Sequence, residues 1–206
     1  MLNKLLSAVG GWLSPAPTNL AKERIQPYFD NDAGAYRVNP LLFQFGMGRP
    51  SLVIVDMQVG FLCKEGTTEL YYEHYQSLVD EVEALVVEAV GKRWKVFVLE
   101  YEGFGSTLWE IVRHLENYPL AVRLTKSKRD GSYDVVRVNE QSGGSDEYLV
   151  CGCYADQCVE ETVVNLARSQ PQSLVKVVPE ACLPYEQDFQ WRCFPTAANL
   201  LLARAA

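Results

Sequence analysis

Residues 149–167 read LVCGCYADQCVEETVVNLA, and the order of residue types in this stretch decides the architecture. An apolar run closes on Gly152, and a turn-like tetrad follows at Tyr154, Ala155, Asp156 and Gln157. Cys158 then opens a segment in which Val159, Val163, Leu166 and Ala167 recur at helical spacing. The pattern is strand, sharp turn, helix. A thiol on the first turn of a helix meets unpaired backbone N–H groups and the positive end of the macrodipole, which favour its thiolate. Cys158 is thereby placed to be a nucleophile; the plain alternative is one more buried core cysteine.

Working outward, the same alternation repeats. SLVIV at Ser51–Val55 is a continuous β-branched run, as expected of a strand buried on both faces of a parallel sheet, and Asp56 closes it. Residues 67–90 carry Val79, Val82, Val86 and Ala89 on one face, predicting a long amphipathic helix ended by Gly91. A strand over 94–99 (WKVFVL) precedes a helix that Ser106 can cap and that ends before Pro119. Residues 120–125 form a third strand ended by Lys126, and 133–141, ambiguous between a short helix and a strand, reads better as a helix. The 148–153 strand and the 158–169 helix come next, then a strand over 174–178 and a closing helix from Pro195 to residue 203. The class this predicts is α/β: a three-layer, open, mostly parallel Rossmann-like sheet with helices on both faces. Residues 1–50, broken at Pro15 and Pro17, read as an N-terminal extension packing on the core or a partner subunit, and 51–206 as the core domain.

Bulk properties narrow the function. The 206 residues are 48% apolar, enough for one domain with a sizeable core. A net charge of −7 without a Lys/Arg cluster argues against nucleic acid and anionic membranes as partners. No apolar run approaches the ~18 residues of a membrane span. The opening MLNKLLSAVGGWLSPAP lacks a convincing cleavage site for a secretory leader. The six cysteines sit mostly in apolar segments without paired C-x-x-C spacing, so free thiols and a cytoplasmic location are expected.

Ligand crevices of open α/β sheets lie beyond the carboxyl ends of the strands. A carboxylate, an ammonium and a helix-start thiol close three strands here: Asp56, Lys126 and Cys158. Neighbouring strands would bring them together as base, electrostatic partner and nucleophile. Burial would raise the Asp56 pKa and Lys126 would oppose that rise. Lys128 competes with Lys126 but lies deeper in a charged loop. Glu100 and Glu102, with the glycines of EGFGST, could line a pocket mouth, or the loop could be an ordinary turn. Cys151 and Cys153 read as core.

The pieces VDMQ, TKSKRDGS and GCYADQCVEET resemble the isochorismatase-like cysteine hydrolases, a superfamily that includes nicotinamidases and N-carbamoylsarcosine amidohydrolases. The resemblance runs from about residue 51 to the C-terminus. It implies a catalytic triad of Asp56, Lys126 and Cys158, an oxyanion hole from the backbone N–H groups of Ala155 and Cys158, and a cis peptide between Tyr154 and Ala155. Gln58, Phe61, Glu100, Glu102 and Tyr154 are the pocket candidates. Two departures stand out: Ala155 replaces the usual Thr, and DGS follows the lysine where many relatives have Ser-Ala-Phe. His74 and His114, the only histidines, lie outside the D-x-H pattern of metal-binding nicotinamidases, so neither metal nor organic cofactor is expected. The implied activity is hydrolysis of a small amide or carbamoyl C–N bond through a thioester, by a homo-oligomer. The alternatives are vinyl-ether hydrolysis of the isochorismatase type, with Asp56 as general acid, and a noncatalytic binding protein. On the expectation that a strand-end side chain adds little to the core, Lys126→Ala should leave the fold intact.

Overall fold

The structure is a computed structural model that describes residues 49–203; the expectations for residues 1–48 and for the last three lie outside the described residues. Six strands form one sheet: β1 (Ser51–Val55), β2 (Lys95–Tyr101), β3 (Ala121–Lys126), β4 (Glu147–Cys153), β5 (Leu174–Leu183) and β6 (Leu200–Leu202). Their order is β3-β2-β1-β4-β5-β6, and every pairing is parallel. Every residue of β1, a central strand, is buried, which explains its unbroken apolar run. The helices are α1 (Val59–Leu62), α2 (Tyr75–Gly91), α3 (Trp109–Val112), α4 (Ser132–Gln141) and α5 (Glu160–Ser169). Contacts pair α2 with α3 and α4 with α5 in the outer layers of a three-layer α/β fold.

The structure corrects several boundaries. The long helix starts at Tyr75 rather than near residue 67. The Thr67 hydroxyl donates to the Lys64 carbonyl and accepts from the Glu69 N–H, so the segment closes a turn instead of a helix. Ser106 caps nothing: α3 is a single turn preceded by Leu108 without a side-chain cap. The expected closing helix is instead edge strand β6. The Asn199 amide donates to the carbonyls of Ala167, Gln170 and Ser173, pinning the chain beside β5, and Leu200–Leu202 then pairs with Val175–Val177. A short apolar run is ambiguous between helix and strand until something it can pair with is known.

Gly152 shows how the sheet shapes its active end. Its φ is +121°, and an added Cβ would lie 2.0 Å from the Val55 carbonyl oxygen. Only glycine lets β4 approach β1 this closely. The β4–β5 register shifts between Val150 and Gly152, so the end of β4, which leads into the nucleophile turn, leaves regular pairing at this point.

Candidate active site

Asp56 directly follows β1 and adopts a left-handed backbone, φ +53°, a conformation that Asp visits more readily than most residues. Its N–H donates to the Leu99 carbonyl at 3.0 Å, and its own carbonyl accepts the Gln58 N–H at 2.7 Å. The side chain, fully buried, is thus fixed at the strand end. Lys126 is the last residue of β3 rather than the first after it. Its Nζ donates to Asp56 Oδ2 at 2.7 Å and to the Lys128 carbonyl at 3.3 Å, and lies 4.5 Å from the centre of the Tyr101 ring. Space for it depends on Gly131, where an added Cβ would sit 3.2 Å from Lys126 Cδ and 2.4 Å from Leu99 Cδ1.

Lys126 is only 5% exposed and forms a buried ion pair. The expectation that removing it would spare the fold is therefore corrected, because its loss leaves a buried carboxylate unpaired. The exposed Lys128 contributes a backbone carbonyl.

Cys158 sits in a π-helical turn, Ala155–Val159, that leads into α5. The Tyr154 carbonyl accepts the N–H groups of both Gln157 and Val159. The cis peptide lies between Cys153 and Tyr154, one residue before the expected bond. The strand ends at Cys153 and the helical turn starts at Ala155, so the chain bends at the earlier junction.

Burial first, and the Asp56 charge second, push the Cys158 thiol up to about 12, and Lys126 offsets this only in part. A thiol raised this far needs a base to take its proton before it can attack. Burial also raises the Asp56 carboxyl above its ordinary value, against the pull of Lys126 and a smaller one from Cys158. Asp56 Oδ1, the oxygen not held by Lys126, is buried and makes no hydrogen bond of ordinary geometry among the described residues. An acceptor beside a thiol of raised pKa is the arrangement a proton transfer needs.

The pocket candidates divide. Phe61 and Tyr154 line a cavity of about 710 Å³ beside the nucleophile turn, together with Tyr71, Tyr72, Tyr75, Phe104 and Tyr185 and the polar Arg129, Gln157 and Glu186. Gln58 and Glu100 do not. The Gln58 amide donates to the Tyr101 and Gly105 carbonyls and accepts the Tyr101 N–H. Glu100 Oε1 accepts the N–H and hydroxyl of Thr107 and lies 3.5 Å from Arg123 Nε. Both are buried and brace the 101–107 loop. Glu102 is exposed and outside the cavity lining. Cys151 and Cys153 are fully buried, as read.

Sequence reasoning missed Asp156, whose two carboxylate oxygens accept the Tyr185 N–H at 2.7 Å and the Glu186 N–H at 2.9 Å. An Asp in a tight turn usually satisfies its own backbone, so only a distant partner could expose this role. The divergent DGS is tied down in the same way. Asp130 accepts from the Ser132 N–H and the Asn165 amide, and the Gly131 N–H donates to the Thr162 hydroxyl. His114 bonds Glu83, and His74 stacks on Tyr72.

Asp56 after β1, Lys126 at the end of β3 and Cys158 in the turn after β4 lie at the same end of the parallel sheet of an α/β protein, although β2 separates β3 from β1. The family model of the Isochorismatase domain matches residues 50–191, and the chain belongs to this family. No curated protein sequence matches it. Among solved structures it is similar to the nicotinamidase of Staphylococcus aureus at 15% identity, over 68% of this chain and 88% of that one, with a TM-score of 0.54. The Bacillus subtilis nicotinamidase is similar at 13% identity, over 68% and 89%, with a TM-score of 0.57. An octameric hydrolase of unknown specificity from Escherichia coli is similar at 16% identity, over 68% and 66%, with a TM-score of 0.53. At these identities the likeness is one of fold. No helix among the described residues is long and apolar enough to cross a membrane.

Proposed function

We propose that the protein is a cysteine-dependent hydrolase of an amide or carbamoyl C–N bond. The observation that carries this reading is the buried Lys126–Asp56 pair, whose carboxylate also interacts with the Cys158 thiol. Asp56 takes the thiol proton as sulfur attacks the substrate carbonyl. Backbone N–H groups of Ala155 and Cys158 receive the developing oxyanion. Collapse breaks the C–N bond, and the leaving amine takes the proton from Asp56. Water, deprotonated by the same carboxylate, then attacks the thioester; the acid departs and the thiol is restored. Lys126 keeps Asp56 ionised in a site whose burial disfavours the charge. Under this reading the chain acts without metal or organic cofactor, in the cytoplasm, and self-associates, as the octameric relative does.

A second reading has its own support. A raised Asp56 pKa also suits a general acid, as vinyl-ether hydrolysis of the isochorismatase type would need, with Cys158 dispensable. Cys158→Ala separates the two. Ammonia release from a panel of amides should vanish in the variant; retained turnover would sink the thioester route.

A further inference from the structure

We propose that Arg123 is a positioning residue for the reaction: through Glu100 and Thr107 it sets the chain segment that follows Asp56, and with it the carboxylate that takes the thiol proton. This goes beyond the hydrolase reading and rests on it. Arg123 lies in β3, is 2% exposed and takes no part in the proton transfers around Cys158. None of its three guanidinium nitrogens makes a hydrogen bond among the described residues, and its one ionic contact among them is Nε to Glu100 Oε1 at 3.5 Å. Unmet donors on a buried cation cost stability, and an apolar side chain of similar volume would pack as well or better. What Arg123 supplies is a charge beside one carboxylate oxygen.

A chain of contacts leads from that oxygen to the site. Glu100 Oε1 accepts both the Thr107 N–H and the Thr107 hydroxyl at 2.8 Å. Bonds to a carboxylate are roughly twice as strong as neutral ones, and the guanidinium alongside holds the carboxylate where it can accept them. Thr107 pairs with Gln58 in an antiparallel bridge. On either side of it, the Leu108 N–H donates to the Met57 carbonyl at 2.9 Å, the Val59 N–H to Ser106 at 3.0 Å and the Gly60 N–H to Phe104 at 2.9 Å. Residues 57–60, which follow Asp56 directly, are in this way zipped to residues 104–108. The approach is tight: a Cβ added at Gly60 would lie 2.6 Å from the Phe104 carbonyl oxygen.

Arg123 reaches the site through the backbone. Residues three apart on a strand face opposite sides of the sheet, so Arg123 and Lys126 project from opposite faces of β3. Glu100 and Tyr101, neighbours on β2, are divided in the same way. Burial raises the Asp56 carboxyl, and after Lys126 and Cys158 the Tyr101 backbone helps to offset this. The Tyr101 N–H also donates to Gln58 Oε1 at 2.6 Å. Slackening at Thr107 therefore carries residues 57–60, and Asp56 with them, away from that donor.

The charged and titratable groups that bear on this are Lys126 and the Cys158 thiol beside Asp56, and Glu100 beside Arg123. Asp56 is titrated by 13C NMR of the full chain labelled at its aspartate carboxyls, the resonance being assigned by its loss in Asp56→Asn, and amide turnover is measured over the same pH range. In Arg123→Met the Asp56 midpoint and the acid limb of turnover should both rise by about one pH unit, the worth of one hydrogen bond to a charged group. Turnover at saturating substrate should fall roughly ten- to a hundredfold, as for a displaced catalytic group, with KM little changed. Arg123→Lys, which returns a cation to Glu100, should recover most of both, whereas a packing role would favour Met over Lys. Thr107→Val, which alters no charge, should raise the midpoint in the same direction by less. Should Arg123→Met not fold, Arg123→Gln carries the same expectation. A midpoint that stays in place in the folded Arg123 variant, or that Arg123→Lys does not recover, would overturn the proposal. So would a rise at Arg123 with none in Thr107→Val, which would be bare charge acting at a distance. The expected shifts and recovery in a chain that hydrolyses no amide would uphold the positioning of Asp56 and count against the hydrolase reading.

Discussion

Lys126 and Lys95 are two buried lysines at opposite ends of the sheet, the last residue of β3 and the first of β2, and their surroundings differ in kind. Lys95 Nζ donates to Asn139 Oδ1, to the Ser142 hydroxyl and to the Gly144 carbonyl, so three neutral acceptors use its three donors. Asn139 in turn donates to the Tyr148 hydroxyl and accepts from Ser145, which shares a hydrogen bond with Ser51. This network is closed, and since no carboxylate bonds the ammonium, burial lowers Lys95 to about 8. Lys126 instead meets a carboxylate that it shares with the Cys158 thiol. A closed network orders the fold, whereas a pair that shares its carboxylate with a thiol can pass a proton.

The largest effect expected is at the Lys126 end. Asp56→Asn should reduce amide turnover to background, yet quicken alkylation of Cys158 at mildly alkaline pH, because the Asp56 charge helps push the thiol up and Lys126 opposes it. Slower alkylation in the variant would mean that Asp56 activates the resting thiol, against the contrast drawn here. Lys126→Ala should cost turnover about 3–4 kcal/mol, as for a lost electrostatic donor. It should also cost stability, on the order of 3–5 kcal/mol at neutral pH, by leaving Asp56 unpaired. Chemical denaturation should show this deficit shrinking when Asp56→Asn is added.

At the closed end the effects are smaller. Lys95→Met should lower stability by about 1–3 kcal/mol, the cost of leaving buried acceptors unsatisfied, with amide turnover unaltered. Loss of turnover in a well-folded Lys95 variant would break the division between the two ends. The smallest effect is a slope. Lys95 titrates near 8 when folded and near its ordinary 10.5 when unfolded, so between those values the unfolded chain binds more protons. Its contribution to stability therefore rises with pH across that window, by up to ~1.4 kcal/mol per unit. Buried thiols with raised pKa values oppose this above about 9. The slope is accordingly read as the difference between wild type and Lys95→Met in parallel denaturation series.

Much of the fold was legible because the signals are local. The continuous run of Ser51–Val55, the Val79/Val82/Val86/Ala89 stripe and the strand-turn-helix pattern around Cys158 each report burial through neighbours in the chain. The positions of the three candidate groups were legible for the same reason, since Asp56, Lys126 and Cys158 stand at or just beyond the ends of apolar runs. The ambiguous 133–141 segment, read as helix, is helical.

The sequence by itself determined the α/β class and the three positions where chemistry could gather, since side-chain periodicity and strand ends are properties of short windows. Tertiary structure alone decided what those positions have become. Burial by the whole domain pushed the Cys158 thiol up to about 12, against the helix-start position that favours its thiolate. Residues far along the chain made Gln58 and Glu100 loop braces, and recruited Asp156 to hold Tyr185. Asn199 reached three carbonyls to convert an apolar tail into β6. Desolvation and long-range hydrogen bonds depend on what the remainder of the molecule brings alongside, and no local pattern encodes that.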